Sequence, residues 1–300
     1  MYLNNTPKVS VIVATYRRDV ELQRALESLA KQSYVNYEIV LVDDNDHLIW
    51  NHNVEQLVGK FRESHPNIDL VYLQNHPNLG SARTRNVGVE HSNGRFVCFL
   101  DDDDEFRVHK IGNQVAFMLD NSCDYSITDL ELFYEDGKFA EYRDRHYVKK
   151  IDSDSLIRYH LTYHMTGTDT MMFTKEYFER IGGFAPIDVG DEFYLMERAI
   201  TSNGRFGYLP KSDVKAYIHR GEDGLSSGQS KIDGETALYE YKKKYFPMLD
   251  SPSIRYIKMR HHAVMAFAFL RLGKFGLFIK ESMIALFISP ISCLKLLLSR

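Results

Sequence analysis

The chain has 300 residues, a net charge of −4 and 44% hydrophobic residues, which is enough for one large domain or a domain with an appendage. Its eight prolines and the lack of low-complexity stretches exclude a largely disordered protein. Residues 251–300 hold eight Lys or Arg and one acid, so this tail carries +7 and residues 1–250 carry −11. An acidic body of this kind argues against nucleic-acid binding across the main domain.

The cysteines and the N-terminal residues are used to predict the cellular compartment of the protein. Cys98, Cys123 and Cys293 have no metal-ligand spacing and cannot all pair, which fits a reducing cytoplasm. Residues 1–8 are polar and lead directly into a predicted strand, so we expect no signal peptide there.

Strands alternate with helices in the first 120 residues. Apolar and β-branched runs predict strands, and apolar residues at helical spacing predict helices. The predicted strands are 8–14, 37–42, 70–73 and 95–100, and the predicted helices are 22–29 (with Asp19 as N-cap), 54–61 and 81–90. Because the pattern repeats about every 30 residues, as βαβ units do, it predicts a doubly wound, mostly parallel sheet.

Past residue 120 this alternation breaks. Residues 125–134 and 141–147 are predicted to pair around a turn at Glu135-Asp136-Gly137-Lys138. Shorter strands are expected at 171–173 and 214–219, and a helix at 191–200. We interpret 1–120 as a nucleotide-binding half and 121–250 as an acceptor half of one continuous domain with a shared sheet.

Four consecutive aspartates, Asp101 to Asp104, follow the predicted buried strand 95–100. Open α/β sheets bind ligands just outside the carboxyl ends of their strands, and a hard divalent cation with bound phosphates would neutralise this charge. The alternative is a helix N-terminus capped by residues 102–105. An EF-hand is excluded, because Phe106 and Gly112 occupy the positions that require Gly and Glu.

Polar side chains also follow the first two strands. Thr15-Tyr16-Arg17 ends the first strand and Asp43-Asp44 ends the second, so an aromatic ring and two acids should lie on the same edge as the Asp run. The sequence has no GxGxxG after the first strand and no GxxxxGK[ST] motif, so the phosphates of a nucleotide would be held by a metal and by Arg or Lys. A nucleotidyltransferase would also use acids and a metal, usually with a glycine-rich turn after the first strand.

Four segments in this order resemble the family 2 glycosyltransferases of the GT-A fold: VSVIVATYRR, EIVLVDDN, NLGSARTRNVGVEHSNGRFVCFLDDDDEF and GDEFYLMERAI. The resemblance extends over roughly residues 8–225. It implies a Rossmann-like α/β fold with a mixed, mostly parallel sheet flanked by helices. It also implies an inverting, metal-dependent hexosyltransferase that moves a sugar from a nucleotide sugar, UDP-linked, to a saccharide or lipid-linked acceptor hydroxyl in cell-surface polysaccharide synthesis.

The resemblance implies roles for individual residues. The metal, Mn²⁺ or Mg²⁺, would be held by the aspartates of the DxD motif, and a histidine near the end of the domain would be a metal ligand or a diphosphate contact, with a structural histidine as the alternative. The nucleotide sugar would be bound by the ends of the first two strands and by an arginine before the metal motif. The implied metal residues are Asp101, Asp103, Asp104 and His219, and the implied nucleotide-sugar residues are Thr15, Tyr16, Arg17, Asp43 or Asp44 (with Asp44 preferred), Arg85 and Asp102, which occupies the variable position of the motif.

The family's catalytic base lies in a Glu-Asp pair ahead of a helix, and here the two acids are swapped to Asp191-Glu192. Glu192 takes the place of the base and Asp191 that of its neighbour, and the extra methylene would move the carboxylate by roughly a bond length. One alternative is that both are N-cap and first-turn acids of a surface helix. Another is a non-catalytic protein that binds sugar nucleotides and has lost its base.

Residues 251–300 are predicted to form a helical, basic and apolar tail. Its uninterrupted apolar part, 282–288, is far short of the ~20 residues that span a bilayer. The composition fits an interfacial segment on an anionic cytoplasmic leaflet, which would make the protein cytoplasmic and peripheral on the inner face of the membrane. The alternative is a helical hairpin folded onto the catalytic domain or onto the second subunit of a homodimer.

Overall fold

The computed structural model describes residues 6–187, 190–218 and 228–298. The chain forms two compact units. Unit 1 comprises Met1–Ser153, Met165–Pro186 and Asp191–Ile218, and unit 2 comprises Asp154–His164, Ile187–Gly190 and His219–Arg300.

Unit 1 contains a central seven-stranded sheet. Its strands are β1 (Val9–Thr15), β2 (Tyr37–Asp43), β3 (Asp69–Gln74), β4 (Phe96–Asp101), β6 (Tyr125–Thr128), β9 (Met172–Thr174) and β10 (Phe206–Leu209). Their order is β10-β6-β9-β4-β1-β2-β3, and β9 alone runs antiparallel to its neighbours β4 and β6. The predicted mixed, mostly parallel α/β sheet is confirmed.

A second, four-stranded sheet lies in the same unit. Its strands are β5 (Glu105–Phe106), β7 (Leu130–Tyr134), β8 (Phe139–Arg143) and β11 (Val214–Ile218), in the order β5-β11-β7-β8. The prediction of one shared sheet was wrong for these strands. The run 125–134 divides at Asp129, so that β6 joins the central sheet while β7 pairs with β8 around the predicted turn at 135–138.

The helices follow the predicted alternation. In unit 1 they are α1 (Val20–Ala30), α2 (Leu48–Ser64), α3 (Ser81–Glu90), α4 (Lys110–Asp120), α6 (Lys175–Arg180) and α7 (Asp191–Thr201), whereas α5 (Ser153–Tyr163) belongs to unit 2 from Asp154 onwards. Asp19 caps α1, as predicted, by accepting a hydrogen bond from the Val20 N–H. The helix-cap explanation of the Asp run was wrong, because β5 follows the run and the next helix begins only at Lys110.

The central strands are buried because helices cover both faces of a parallel sheet. β1, β2 and β4 are almost completely inaccessible to solvent, which explains their continuous apolar sequences. Leu22, Leu26 and Leu29 of α1 pack into the same core at helical spacing.

Unit 2 contains α8 (Gly228–Lys243), α9 (Ser251–Arg271), α10 (Phe275–Ile288) and α11 (Pro290–Leu298). A small core of Met259, Ala263, Ala285 and Cys293 joins the last three helices. Among the described residues, no helix is both long and apolar enough to cross a membrane. The predicted tail is helical, and its boundary after residue 250 stays a prediction, since α8 belongs to the same unit as the tail helices.

Candidate active site

The carboxyl ends of three parallel strands meet at one edge of the central sheet. Thr15 of β1 lies beside Asp43 of β2, and Ala14 lies beside Asp101 of β4. The parallel register therefore brings the Thr15 segment, the Asp43-Asp44 pair and the Asp run together.

Three carboxylates form a cluster at this edge. One oxygen from each of Asp101, Asp104 and Asp169 lies within 4.8 Å of the other two. Asp169 belongs to a 3₁₀ turn, Thr168–Thr170, immediately before β9, and its Oδ1 accepts a hydrogen bond from the Asp101 N–H at 2.7 Å. Asp104 accepts one from the Tyr217 N–H at 2.8 Å. We call these three residues the acidic triad.

The acidic triad has the donor set that a hard divalent cation requires. Burial and, after it, the nearby Asp101 carboxylate raise the pKa of Asp169 to about 7. Burial and the Asp169 carboxylate also raise the pKa of Asp104, and a hydrogen bond joins the two side chains. Because Mg²⁺ and Mn²⁺ bind carboxylate oxygens and would neutralise this charge, the residues present fit such an ion.

The other two aspartates of the run turn towards the loop after β1. Asp102 accepts hydrogen bonds from the Thr15 hydroxyl at 2.8 Å, the Tyr16 N–H at 3.3 Å and the Arg18 guanidinium at 2.6 Å. Burial raises the pKa of Asp102 to about 6. Asp103 forms an ion pair with Arg18 at 2.7 Å and stays outside the acidic triad. Arg18 thus joins two of the predicted site residues and holds the loop in place.

Tyr16 and Arg17 are the accessible part of this loop. Tyr16 is 41% exposed, and the Arg17 guanidinium lies 4.8 Å from the centroid of the Tyr16 ring. Arg17 has a positive φ of 55°, and its N–H donates to Asn45 Oδ1 at 2.8 Å. A fixed, exposed aromatic ring at the edge of the sheet is suited to stacking on a nucleobase.

Asp43 already makes four hydrogen bonds. Its carboxylate is buried and accepts from the Asn45 N–H and amide, the Asn51 amide and the Tyr72 hydroxyl, at 2.7–3.1 Å. A carboxylate has about four acceptor positions, so those of Asp43 are filled.

Asp44 accepts three hydrogen bonds. They come from the Asn75 amide and from the N–H groups of Leu79 and Gly80, at 2.8–2.9 Å. Within the described part of the chain, Oδ2 accepts the Gly80 bond alone, which leaves one acceptor position on this oxygen. Asp44 also fixes the loop that leads into α3, which carries Arg85.

Arg85 lies between two carboxylates. Its Nη2 contacts Asp101 at 2.6 Å and its Nη1 contacts Asp191 at 3.1 Å, and the side chain is almost completely buried. The guanidinium therefore connects the acidic triad to the first residue of α7. The predicted contact of Arg85 with a phosphate or base stays a prediction.

The two swapped acids have different partners. Asp191 is buried and paired with Arg85, whereas Glu192 is half-buried and accepts a hydrogen bond from the Thr168 hydroxyl at 3.0 Å. Burial raises the pKa of both side chains, and for Glu192 the carboxylates of Asp191 and Asp101 raise it further.

Sequence reasoning missed Asp169 as a member of the acidic triad, because Thr168-Asp169-Thr170 is also the pattern of an ordinary turn before a strand. It also missed Arg18 and Arg24, although their position after β1 was a usable signal. Arg24 donates to the Asp103 backbone carbonyl at 2.5 Å and lies over the Tyr217 ring. His219, the predicted metal or diphosphate contact, lies outside the described residues.

Comparisons with known proteins identify the family of this chain. The family model "Glycosyl transferase family 2" matches residues 10–182. The chain is 32% identical over 134 residues to the putative teichuronic acid biosynthesis glycosyltransferase TuaG of Bacillus subtilis, covering 45% of this chain and 51% of that protein. It is 29% identical over 135 residues to the UDP-Glc:alpha-D-GlcNAc-diphosphoundecaprenol beta-1,3-glucosyltransferase WfgD of Escherichia coli, covering 44% and 50%. The chain thus spans about half the length of these curated relatives.

A solved structure extends the likeness beyond the first half of the chain. The mannosyltransferase PcManGT of Pyrobaculum calidifontis, in complex with GDP-Man and Mn2+, has a TM-score of 0.62 and 18% identity, covering 90% of this chain and 75% of that one. At this identity the likeness establishes the GT-A fold. Since the family model covers more than half of the sequence, the chain belongs to glycosyl transferase family 2.

Proposed function

We propose that this protein is an inverting, metal-dependent hexosyltransferase. It transfers a sugar from a nucleotide sugar, UDP-linked, to a saccharide or lipid-linked acceptor hydroxyl in cell-surface polysaccharide synthesis. The observation that carries this proposal is the Arg85 bridge, which joins the acidic triad to the Asp191-Glu192 pair through Asp101 and Asp191. Family membership and the name of WfgD, a transferase that uses UDP-Glc, support it.

The donor would bind along the edge formed by β1, β2 and β4. The exposed Tyr16 ring would stack on the base, with Thr15 and Arg17 fixing the loop around it. Asp44 would accept a hydrogen bond from the uracil or ribose, since Oδ2 has an acceptor position left. The filled acceptor positions of Asp43 make it a support for this loop, and Asp102 takes the same supporting role from the other side.

The acidic triad would hold the divalent cation, which supplies stabilisation of the charge on the leaving diphosphate. Asp101 and Asp104 come from the predicted motif, and Asp169 completes the set. Asp103 would act through Arg18, either by holding it or by releasing it towards the diphosphate. PcManGT, which shares the fold, was solved in complex with GDP-Man and Mn2+, and this supports a metal here.

Glu192 would act as the general base. Within the described part of the chain its carboxylate accepts a hydrogen bond from the Thr168 hydroxyl, whereas Asp191 is paired with the Arg85 guanidinium. Glu192 would take the proton of the acceptor hydroxyl as the oxygen attacks the anomeric carbon from the face opposite the diphosphate. That line of attack inverts the anomeric configuration.

The test is a comparison of Glu192→Gln with Asp191→Asn. A panel of UDP-sugars and saccharide acceptors is assayed with Mn²⁺, and the anomeric configuration of the product is read by NMR. Glu192→Gln should lower kcat by about 10²–10⁴ with donor affinity unchanged, as loss of a general base does. Asp191→Asn should disturb both, because it removes a partner of Arg85. Full activity of Glu192→Gln would refute the assignment of the base.

Two further measurements, incubation with nucleoside triphosphates and donor binding, separate the alternatives. Release of pyrophosphate from a nucleoside triphosphate would indicate a nucleotidyltransferase. Donor binding without turnover over the whole acceptor panel would indicate a non-catalytic protein that binds sugar nucleotides.

The proposed working place is the cytoplasmic face of the cell membrane, where a lipid-linked acceptor is presented. The name of WfgD includes an acceptor of this kind, a diphosphoundecaprenol-linked sugar. In this proposal residues 1–120 bind the donor, 121–250 bind the acceptor, and 251–300 make the peripheral membrane contact or a homodimer contact.

A further inference from the structure

Helix α10 is apolar around its circumference, yet most of its apolar side chains face solvent. Ala285 is its one fully buried residue. Phe275, Ile279, Met283 and Phe287 are spaced four residues apart and form a stripe along one side of the helix, with exposed fractions from 59% to 91%. Ile291 and Leu294 of α11 are exposed as well. We call these six residues the apolar stripe. A helix with this composition is normally buried.

The core of unit 2 does not use the apolar stripe. On its other side, α10 contributes Ala285 to the core with Met259 and Ala263 of α9 and Cys293 of α11. The hairpin of α9 and α10 is therefore already packed, and the stripe is left over. Contiguous exposed apolar surface of this kind marks a site for another molecule or for a membrane.

The charges around the apolar stripe are positive. Lys274, Lys280 and Lys295 are exposed in the same two helices or at their ends. The single acid of residues 251–300, Glu281, is largely buried and hydrogen-bonded to His262 at 2.6 Å. The surface thus combines apolar side chains with lysines and offers little exposed negative charge, which complements anionic lipid headgroups.

A second copy of the chain suits this surface less well. A two-fold symmetric contact places the same patch on both sides of the interface. Lys280 lies beside the stripe, three residues before Met283, so a contact through the stripe would bring a lysine from each copy to the edge of an apolar interface. Like charges there are unfavourable, whereas lipid phosphates would pair with them.

We propose that α10 and α11 lie in the plane of an anionic bilayer surface, with the apolar stripe among the acyl chains and Lys274, Lys280 and Lys295 against the lipid phosphates. The 14 residues of α10 extend about 21 Å, short of the roughly 30 Å hydrocarbon core, so the helix lies in the interface and does not cross it. This inference deepens the proposed function. It rests on that function in one respect: a protein lying on the membrane surface would have a lipid-linked acceptor within reach.

The experiment is co-sedimentation of the full chain with phosphatidylcholine vesicles and with the same vesicles containing phosphatidylglycerol, without donor or acceptor. The variants are Ile279→Asp with Phe287→Asp on the stripe, and Lys280→Glu beside it. The matched control is Leu48→Asp, since Leu48 is an 86% exposed apolar residue of α2 in unit 1. Urea unfolding checks that every variant keeps the fold.

We expect the wild type and Leu48→Asp to sediment with the anionic vesicles, more weakly at high salt, and not with the neutral ones. The Ile279→Asp/Phe287→Asp variant should bind about tenfold or more weakly, and Lys280→Glu should weaken binding less. Equal sedimentation of the stripe variant and the wild type would overturn the proposal. A dimer seen by sedimentation velocity without vesicles would also overturn it, if the Ile279→Asp/Phe287→Asp variant dissociates that dimer. Because the assay contains no substrates, either failure leaves glycosyl transfer to a soluble acceptor untouched.

Discussion

Arg85→Met should destabilise unit 1 by about 3 kcal/mol. The guanidinium is buried between Asp101 at 2.6 Å and Asp191 at 3.1 Å, so its removal leaves two carboxylates close together without their shared cation. Breaking a buried pair by removing one partner costs about 3–5 kcal/mol. We take the lower end of this range because about a third of the Asp101 side chain is exposed and water can rehydrate it.

The measurement is urea unfolding followed by circular dichroism, in EDTA so that no added cation compensates for Asp101. Arg83→Met is the matched control, because Arg83 is an exposed arginine two residues earlier on the same helix. The control should change the free energy of unfolding by less than about 0.5 kcal/mol, as surface substitutions usually do. A loss below about 1 kcal/mol for Arg85→Met, or an equal loss for both variants, would refute the view that Arg85 holds the two carboxylates together.

Two further predictions concern packing and pH. Gly88→Ala should cost about 1–3 kcal/mol, since its methyl group would stand 2.4 Å from Ile12 Cγ2 in the core. Gly59→Ala should instead stabilise by roughly 0.5–1 kcal/mol, because its methyl group meets no described atom within 4 Å in α2; equal effects in urea unfolding would contradict this. Burial and a neighbouring arginine lower the pKa of Lys242 to about 7. Between that pH and about 10, Lys242 binds more protons in the unfolded chain than in the folded one. Its contribution to the free energy of unfolding therefore increases with pH over this range. Lys242→Met should remove this rise of the free energy of unfolding with pH, whereas the control Lys243→Met, at an exposed site, should keep it. An unchanged pH slope for Lys242→Met would contradict the prediction.

The edge of the central sheet was predictable because its signals are local. β1, β2 and β4 are buried on both faces and therefore have continuous apolar sequences, whose polar ends are easily recognised. Parallel strands place these ends on one side, so Thr15, Asp43 and Asp101 could be assigned to one site before any coordinates were known.

Asp169 could not be predicted in the same way, because its place depends on a pairing between distant parts of the chain. It lies 68 residues beyond Asp101 and reaches the site because β9 is inserted, antiparallel, between β4 and β6. A three-residue strand carries little pattern of its own, and neither its partners nor its direction is contained in a local sequence motif.

Turn geometry determines which aspartates of the run belong to the acidic triad. The Asp104 N–H donates to the Asp101 carbonyl at 3.1 Å and closes a turn, so these two residues come close in space. Asp102 and Asp103 occupy the middle of that turn and face Arg18. The spacing of the DxD motif predicts Asp101 and Asp103 as neighbouring ligands, whereas the turn brings Asp101 close to Asp104.

The Arg85 bridge also explains how the swapped acids can keep separate roles. The first acid of the pair is held by a buried guanidinium, and the second is hydrogen-bonded to a neutral hydroxyl. A carboxylate paired with a cation is a weaker proton acceptor than one that is not, because the cation stabilises its charged form. In the proposed mechanism, the division between a supporting acid and a basic acid would therefore follow from position along α7 and not from whether Asp or Glu comes first. The longer side chain of Glu192 would change the reach of the proposed base, and its carboxylate is hydrogen-bonded to Thr168, next to Asp169 of the acidic triad.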